Sequence, residues 1–200
     1  MDTLTPPVTR KNFADWLIWL KWVLASQAAI LLGVGILYAS VFLANAVQPD
    51  INADRFMGVL IFPIQGTLLG VFQWLVLRRR IPRSGWWVPA TLAGLLGGLA
   101  LGLGLVKAIV LLTGRAWNWD SLPGRLLICG VVGFMPALVQ LPILWRRIQA
   151  YPLWPLASTL GWFALSLIIG KSIDRPSDVL ALGAVPAVFT GLCLVLRLPV

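Results

Sequence analysis

The sequence predicts an all-α integral membrane protein, and three observations carry that prediction. Of the 200 residues, 59% are hydrophobic and only 12% are charged, whereas about a quarter of a typical soluble domain is charged. The apolar residues form continuous runs of about 20, which is the length of a helix that crosses a bilayer, and they lack the alternation of a transmembrane strand. Short loops, which hold most of the charged residues, separate the runs.

Six apolar runs qualify as membrane spans, and the last two are short and tightly connected. They form one transmembrane domain over residues 20–199. The preceding segment, residues 1–19, is expected to be cytoplasmic and to lie along the membrane interface before the chain turns into the bilayer. No cleaved signal peptide is expected there. The predicted spans cover residues 20–46, 56–77, 86–106, 125–145, 152–171 and 179–199.

The charged residues orient these spans. With both termini in the cytoplasm, ten Lys and Arg residues lie inside and six outside, while five of the seven Asp residues lie outside, as the positive-inside rule requires. This bias accounts for the net charge of +9 without a nucleic-acid partner. Arginines at the cytoplasmic ends of the second and fourth spans are expected to contact lipid headgroups: Arg78, Arg79, Arg80, Arg83, Arg146 and Arg147.

Tryptophan positions agree with this orientation, because indole rings concentrate at membrane interfaces with the ring buried and the N–H hydrated. Trp117 and Trp119 fall at the predicted outer interface. Eight others fall at the predicted cytoplasmic interface: Trp16, Trp19, Trp22, Trp74, Trp86, Trp87, Trp145 and Trp154.

Shifting the chain against itself by 67 residues reveals an ungapped internal repeat, which pairs Gln73 with Gln140 and Trp87 with Trp154. A weaker third copy shares the W-x-x-A-[ST] element that begins at Trp22, and an LVLR element near the end of the chain. Because each copy contains two spans, the sequence predicts three parallel helical hairpins around an axis along the membrane normal. The hairpins cover about residues 20–80, 86–147 and 152–199.

These elements resemble a family of bacterial multi-pass membrane proteins, found in cyanobacteria and other phototrophic or filamentous bacteria, that has no established activity. The resemblance rests on GxxxGxxQWLVLRRRIPRSGWWVPATLAG and GAVPAVFTGLCLVLR, and it covers about residues 57–197. The chain departs from the family pattern at Leu141 and Pro142 in its second copy, and at Pro186. The resemblance implies a bacterial inner or thylakoid membrane and supplies no catalytic residue.

Three glutamines inside the spans are the candidates for a ligand site or a transport pathway: Gln65, Gln73 and Gln140. Hydrogen bonding between helices is the simpler alternative. No Asp, Glu or His lies within a predicted span, which disfavours proton coupling, His-ligated haem and metal sites. The chain also lacks the motifs of hydrolases and P-loop enzymes. We therefore expect no enzymatic activity and no bound metal.

Glycines at GxxxG spacing give the second and third spans smooth faces. Such faces let helices of one chain pack closely. The alternative is a groove that receives a partner helix, an acyl chain, a carotenoid or a chlorophyll tail. The glycines are Gly66, Gly70, Gly94, Gly98 and Gly102.

Two functions fit these patterns. The favoured one is a non-enzymatic accessory or scaffold subunit of a bacterial membrane complex, for example a photosynthetic one, that contacts lipid, pigment or other membrane-protein subunits. The alternative is a small transporter or channel along the repeat axis, lined by the three glutamines. Glutamines that converge on a continuous hydrated cavity would favour transport, and glutamines bonded between helices in a dry bundle would favour the scaffold.

Overall fold

The computed structural model describes residues 13–48, 52–81, 84–114, 121–145, 151–168 and 176–197. These ranges are helical apart from short turns, and they contain no strand, so the predicted all-α class is confirmed. A 3-10 turn, Ser84–Trp86, precedes the third helix. The helices are α1 (Phe13–Val47), α2 (Ala53–Leu77), α3 (Trp87–Thr113), α4 (Leu122–Leu144), α5 (Leu153–Ile168) and α6 (Pro176–Arg197).

Within the described residues, five helices are long and apolar enough to cross a membrane: α1, α2, α3, α4 and α6. The remaining helix, α5, is apolar, and the structure describes 16 residues of it. At 1.5 Å per residue this described part rises about 24 Å, which is less than the hydrocarbon thickness of about 30 Å. The helices indicate a multi-pass membrane protein, with five spans assigned by length.

The six helices form a closed ring. Each helix packs against its neighbours in the sequence, and α6 packs against α1 to complete the circle. In the described part of the chain, no other pair of α-helices makes more than a marginal contact. The interior of the ring is therefore lined by all six helices, and the outward faces are left to the surroundings.

The close packing of α3 against α4 depends on the glycines of α3. A Cβ atom at Gly94 would overlap the backbone of Pro136, and one at Gly98 would lie 3.0 Å from the Cα atom of Val132. One turn further on, Gly102 lies against Ile128. Side chains at the first two positions would push the helices apart, because real Cβ contacts are longer than these distances.

Glycines also lie in the other helix–helix interfaces of the ring. A Cβ atom at Gly70 in α2 would lie 2.9 Å from the Cα atom of Val88 in α3. In α5, one at Gly161 would lie 2.7 Å from the Cα atom of Pro186 in α6. The predicted packing glycines Gly66, Gly70, Gly94, Gly98 and Gly102 all face a neighbouring helix of this chain. In this structure they do not form an open groove.

Helix α1 includes the last residues of the segment that is expected to lie along the membrane interface before residue 20. It runs unbroken over 35 residues, from Phe13 to Val47, which is about 52 Å. Early in α1, the indole N–H of Trp19 donates to the carbonyl oxygen of Val188 in α6 at 3.4 Å. The early part of α1 thus packs along the ring as a continuation of the same helix.

Candidate functional site

Three buried tryptophans meet inside one end of the ring. Trp22, Trp87 and Trp154 come from α1, α3 and α5 and are at most 2% exposed. Their ring centroids are 5.9, 5.8 and 5.7 Å apart, with interplanar angles of 79°, 76° and 70°. Each pair is therefore edge-to-face, a geometry that contributes about 0.5–1.5 kcal/mol per pair beyond burial. We call this cluster the tryptophan triangle.

Each indole N–H of the triangle donates to a polar side chain of an even-numbered helix. These three N–H groups are therefore bonded within the protein, and the expectation that they are hydrated at the membrane interface is wrong. Trp16, Trp86 and Trp145, by contrast, are 44%, 70% and 53% exposed. The bonds join Trp87 to Gln73 Oε1 at 3.0 Å, Trp154 to Gln140 Oε1 at 2.9 Å, and Trp22 to Thr190 Oγ1 at 3.0 Å.

Both glutamines of the triangle also bridge back to the preceding helix. Gln73 Nε2 donates to Ser26 Oγ at 3.2 Å, and Gln140 Nε2 donates to Thr91 Oγ1 at 2.9 Å. Gln73 therefore links α1 to α3 through α2, and Gln140 links α3 to α5 through α4. This is the interhelical hydrogen bonding that the sequence offered as the simpler alternative.

Thr190 occupies in α6 the place that the glutamines hold in α2 and α4. It accepts the indole N–H of Trp22, and it follows Gly183 by seven residues, as Gln73 follows Gly66. Aligning the LVLR element at 75–78 with the one at 194–197 would instead place Leu192 at this position, two residues after Thr190. Ser158, the counterpart of Ser26, bonds to no glutamine among the described residues and donates to the carbonyl oxygen of Gly133 at 2.7 Å.

Gln140→Leu is expected to lower the free energy of unfolding by about 1–3 kcal/mol, because a buried indole N–H on Trp154 loses its acceptor. SDS titration in mixed micelles measures the effect. The matched control is Gln48→Leu at the exposed end of α1, for which we expect a change within about 0.5 kcal/mol. Equal unfolding midpoints for the two variants would show that the hydrogen bonds of Gln140 do not contribute to stability.

A cavity of about 170 Å³ lies next to the triangle inside the ring, and all six helices contribute to its lining. For scale, an engineered cavity of about 150 Å³ in another protein binds benzene. The described residues that line the cavity include no charged side chain. Its polar lining residues are Ser26, Gln65, Gln73, Thr91, Gln140, Ser158 and Thr190.

The residues that line the cavity fall on successive turns of α1, α3 and α5. In α1, Ser26 and Ile30 lie one and two turns from Trp22, or about 6 and 12 Å along the helix. The same spacing recurs in α3 and α5. The cavity therefore has hydroxyl groups next to the triangle and mainly apolar side chains further away, where Gln65 is a polar exception. The corresponding residues are Thr91 and Leu95 in α3, and Ser158 and Trp162 in α5.

All three candidate glutamines line this one cavity. Gln65 donates from Nε2 to the carbonyl oxygen of Ile30 at 3.2 Å. Its Oε1 atom is buried and has no partner among the described residues, and the side chain packs against Gly33. The sequence analysis identified these glutamines as candidates but assigned Trp22, Trp87 and Trp154 to the membrane interface, although the thrice-repeated W-x-x-A-[ST] element marks all three.

Of the predicted headgroup-binding arginines, Arg78, Arg79 and Arg80 are exposed in the turn after α2. The Arg78 guanidinium lies 5.8 Å from the centroid of the Trp74 ring, a cation–π geometry. This turn adjoins the triangle end of the ring, since Leu77 and Ile81 belong to the same buried cluster as the tryptophans. Three further predicted residues lie outside the described ranges: Arg83, Arg146 and Arg147. The same is true of Trp117 and Trp119.

The described residues contain no group of three or more His, Cys, Asp or Glu side chains that would hold a metal ion. Among the described residues, Cys129 and Cys193 form no disulfide, and the first is buried and the second half-buried. The polar chemistry of the site therefore consists of neutral amides, hydroxyls and indoles.

Comparison with protein-family models, with curated proteins and with solved structures finds no match for this chain. The fold and the site by themselves define its class: an all-α protein of multi-pass type, built as a ring of helices around a neutral cavity that tryptophans close at one end.

Proposed function

We propose that this protein is a non-enzymatic accessory subunit of a bacterial membrane complex, which holds lipid, pigment or partner helices against its outer surface. The observation that carries the proposal is the tryptophan triangle. Three large buried rings cross the axis of the ring of helices, and their N–H groups are held by side chains on three other helices. An axis blocked in this way suits a rigid scaffold better than a pathway.

The proposal includes six spans in three parallel hairpins, with both termini in the cytoplasm. Trp22, Trp87 and Trp154 make equivalent contacts from α1, α3 and α5, which supports a three-fold arrangement. As the sixth span we propose α5, because it packs between α4 and α6, two helices of spanning length. The charge bias of the loops supports the orientation. The family resemblance supports a bacterial inner or thylakoid membrane.

The outer surface of α1 supports a docking role. Leu24, Phe42 and Val47 are 58%, 75% and 88% exposed on this helix. Its apolar stretch, Trp16–Val47, is 32 residues long and rises about 48 Å. This exceeds the hydrocarbon thickness of about 30 Å, so a tilted α1 offers a long apolar face to lipid or to a neighbouring subunit.

The cavity favours transport as the second candidate, because Gln65, Gln73 and Gln140 all line it. Transport along the axis would need the tryptophan triangle to open, which breaks three hydrogen bonds and three ring contacts. Proteoliposomes test this alternative directly. Swelling in isotonic glycerol that requires the protein, and that increases in Trp154→Ala, would support a pathway over a scaffold.

Site-specific photo-crosslinking in the source membrane tests the accessory role. Benzoylphenylalanine replaces Phe42 on the exposed face of α1, and the matched control replaces Phe62, which lines the cavity. We expect a discrete protein adduct from position 42 and none from position 62, as measured by gel shift and mass spectrometry. Adducts to lipid alone from position 42, and also from the exposed Phe134 of α4, would contradict a subunit role.

A further inference from the structure

The scaffold role does not explain the cavity next to the tryptophan triangle or the side chains that line it. Its walls away from the triangle are mainly apolar, with Ile30, Phe62, Leu95 and Leu182 among them, although Gln65 also lies there beside Ile30. Among the described residues no charged side chain lines the cavity, so an ionic occupant would lose its hydration without compensation. The walls therefore select a neutral and largely apolar molecule.

Four hydroxyl groups line the polar end of the cavity, and one of them keeps an unused proton. Thr91, Ser158 and Thr190 donate to backbone carbonyl oxygens at 2.7, 2.7 and 2.9 Å. Ser26 accepts a hydrogen bond from Gln73 but donates to no atom of the described residues. Its O–H is therefore available to an occupant of the cavity.

The two bridging glutamines add further unused donors. An amide NH₂ group carries two protons, and Gln73 and Gln140 each use one of them in the described part of the chain. All three indole N–H groups are already bonded. The unmet groups at the polar end are thus one O–H and two N–H donors, and buried donors of this kind are normally satisfied by a partner or by water.

We propose that the cavity is a binding site for a neutral apolar molecule, or an apolar chain end, that carries a carbonyl oxygen. The oxygen, with two lone pairs, accepts from up to two of the unused donors on Ser26, Gln73 and Gln140, and the apolar part lies against the walls further from the triangle. A volume of about 170 Å³ accommodates about six to ten non-hydrogen atoms, by comparison with the benzene-binding cavity. The site requires only the interior of the ring, so it stands whether the protein is a scaffold or a transporter.

Two fluorinated probes of nearly equal shape test the site: 4-fluoroacetophenone, and 1-ethyl-4-fluorobenzene, which lacks the carbonyl oxygen. The full chain in lipid nanodiscs is titrated with each, and ¹⁹F NMR measures binding after subtraction of partitioning into empty nanodiscs. We expect saturable binding of both, with the acetophenone about tenfold tighter because it satisfies a buried donor. Equal affinities would overturn the role of the donors.

A matched pair of variants locates the binding. Ile61→Trp places an indole on the cavity wall, and Ile36→Trp makes the same change at a position of α1 that is 38% exposed and outside the lining. The first is expected to abolish saturable binding of both probes, and the second to leave it unchanged. If Ile61→Trp fails to fold, Leu182→Phe in α6 fills the same cavity. Binding that survives in the folded variants, or that never saturates, would show that the cavity holds only water or nothing.

Discussion

Trp87→Ala is expected to lower the free energy of unfolding by about 3–5 kcal/mol, the range for removing a large buried aromatic side chain. The ring is fully buried and contacts both other members of the tryptophan triangle. Its removal also leaves Gln73 Oε1 without its donor. SDS titration of the purified protein in mixed micelles, followed by near-ultraviolet circular dichroism, measures the change.

The adjacent residue provides the control. Trp86 is 70% exposed, and Trp86→Ala is expected to change stability by no more than about 0.5 kcal/mol. A second comparison uses Trp154→Ala and the double variant. Because the two rings touch, their effects should not add. Additive losses, or equal losses for Trp86 and Trp87, would mean that the triangle does not act as a unit.

Gly94→Leu is expected to destabilise the protein by at least about 3 kcal/mol, because a side chain there would occupy the space of the Pro136 backbone. A flexible side chain could move aside, but backbone cannot shift unless α3 and α4 separate. Their separation would also pull Thr91 away from Gln140 and weaken that bridge. The expected readouts are a lower SDS midpoint and loss of the folded species in size-exclusion chromatography.

Gly104→Leu is the matched substitution on the same helix. A Cβ atom at Gly104 would meet nothing within 4 Å, and leucine has a higher helix propensity than glycine. We expect this variant to be as stable as the parent chain or slightly more stable. Similar destabilisation by both substitutions would indicate that α3 tolerates no bulk anywhere, and that the contact with Pro136 is not special.

The sequence predicts the all-α class and the approximate positions of the helices because hydropathy reports the depth of a residue in a bilayer. It does not report which way a side chain points around the helix. Trp16, Trp19 and Trp22 are three residues apart, so each lies about 60° around the helix from the one before. Trp16 is 44% exposed and Trp22 is fully buried, although both were assigned to the same interface.

The sequence repeat does not predict that Thr190 is the acceptor in the third copy. The LVLR match predicts a register two residues away, because similar apolar residues match almost equally well at several offsets. The register is fixed by a hydrogen bond to Trp22, at the opposite end of the chain. A glutamine within an apolar span indicates a contact with another helix, which is why Gln73 and Gln140 are candidates from the sequence. A threonine there bonds readily to its own helix and is a weaker signal.

The closed ring sets an order in which the protein can be assembled during synthesis. Five of its six helix–helix interfaces join consecutive helices, so each can form as soon as the next helix enters the membrane. The sixth joins α6 to α1, and with it comes the bond between Trp22 and Thr190, 168 residues apart in the chain. Until α6 arrives, the cavity lacks the wall that Leu182, Gly183 and Pro186 form.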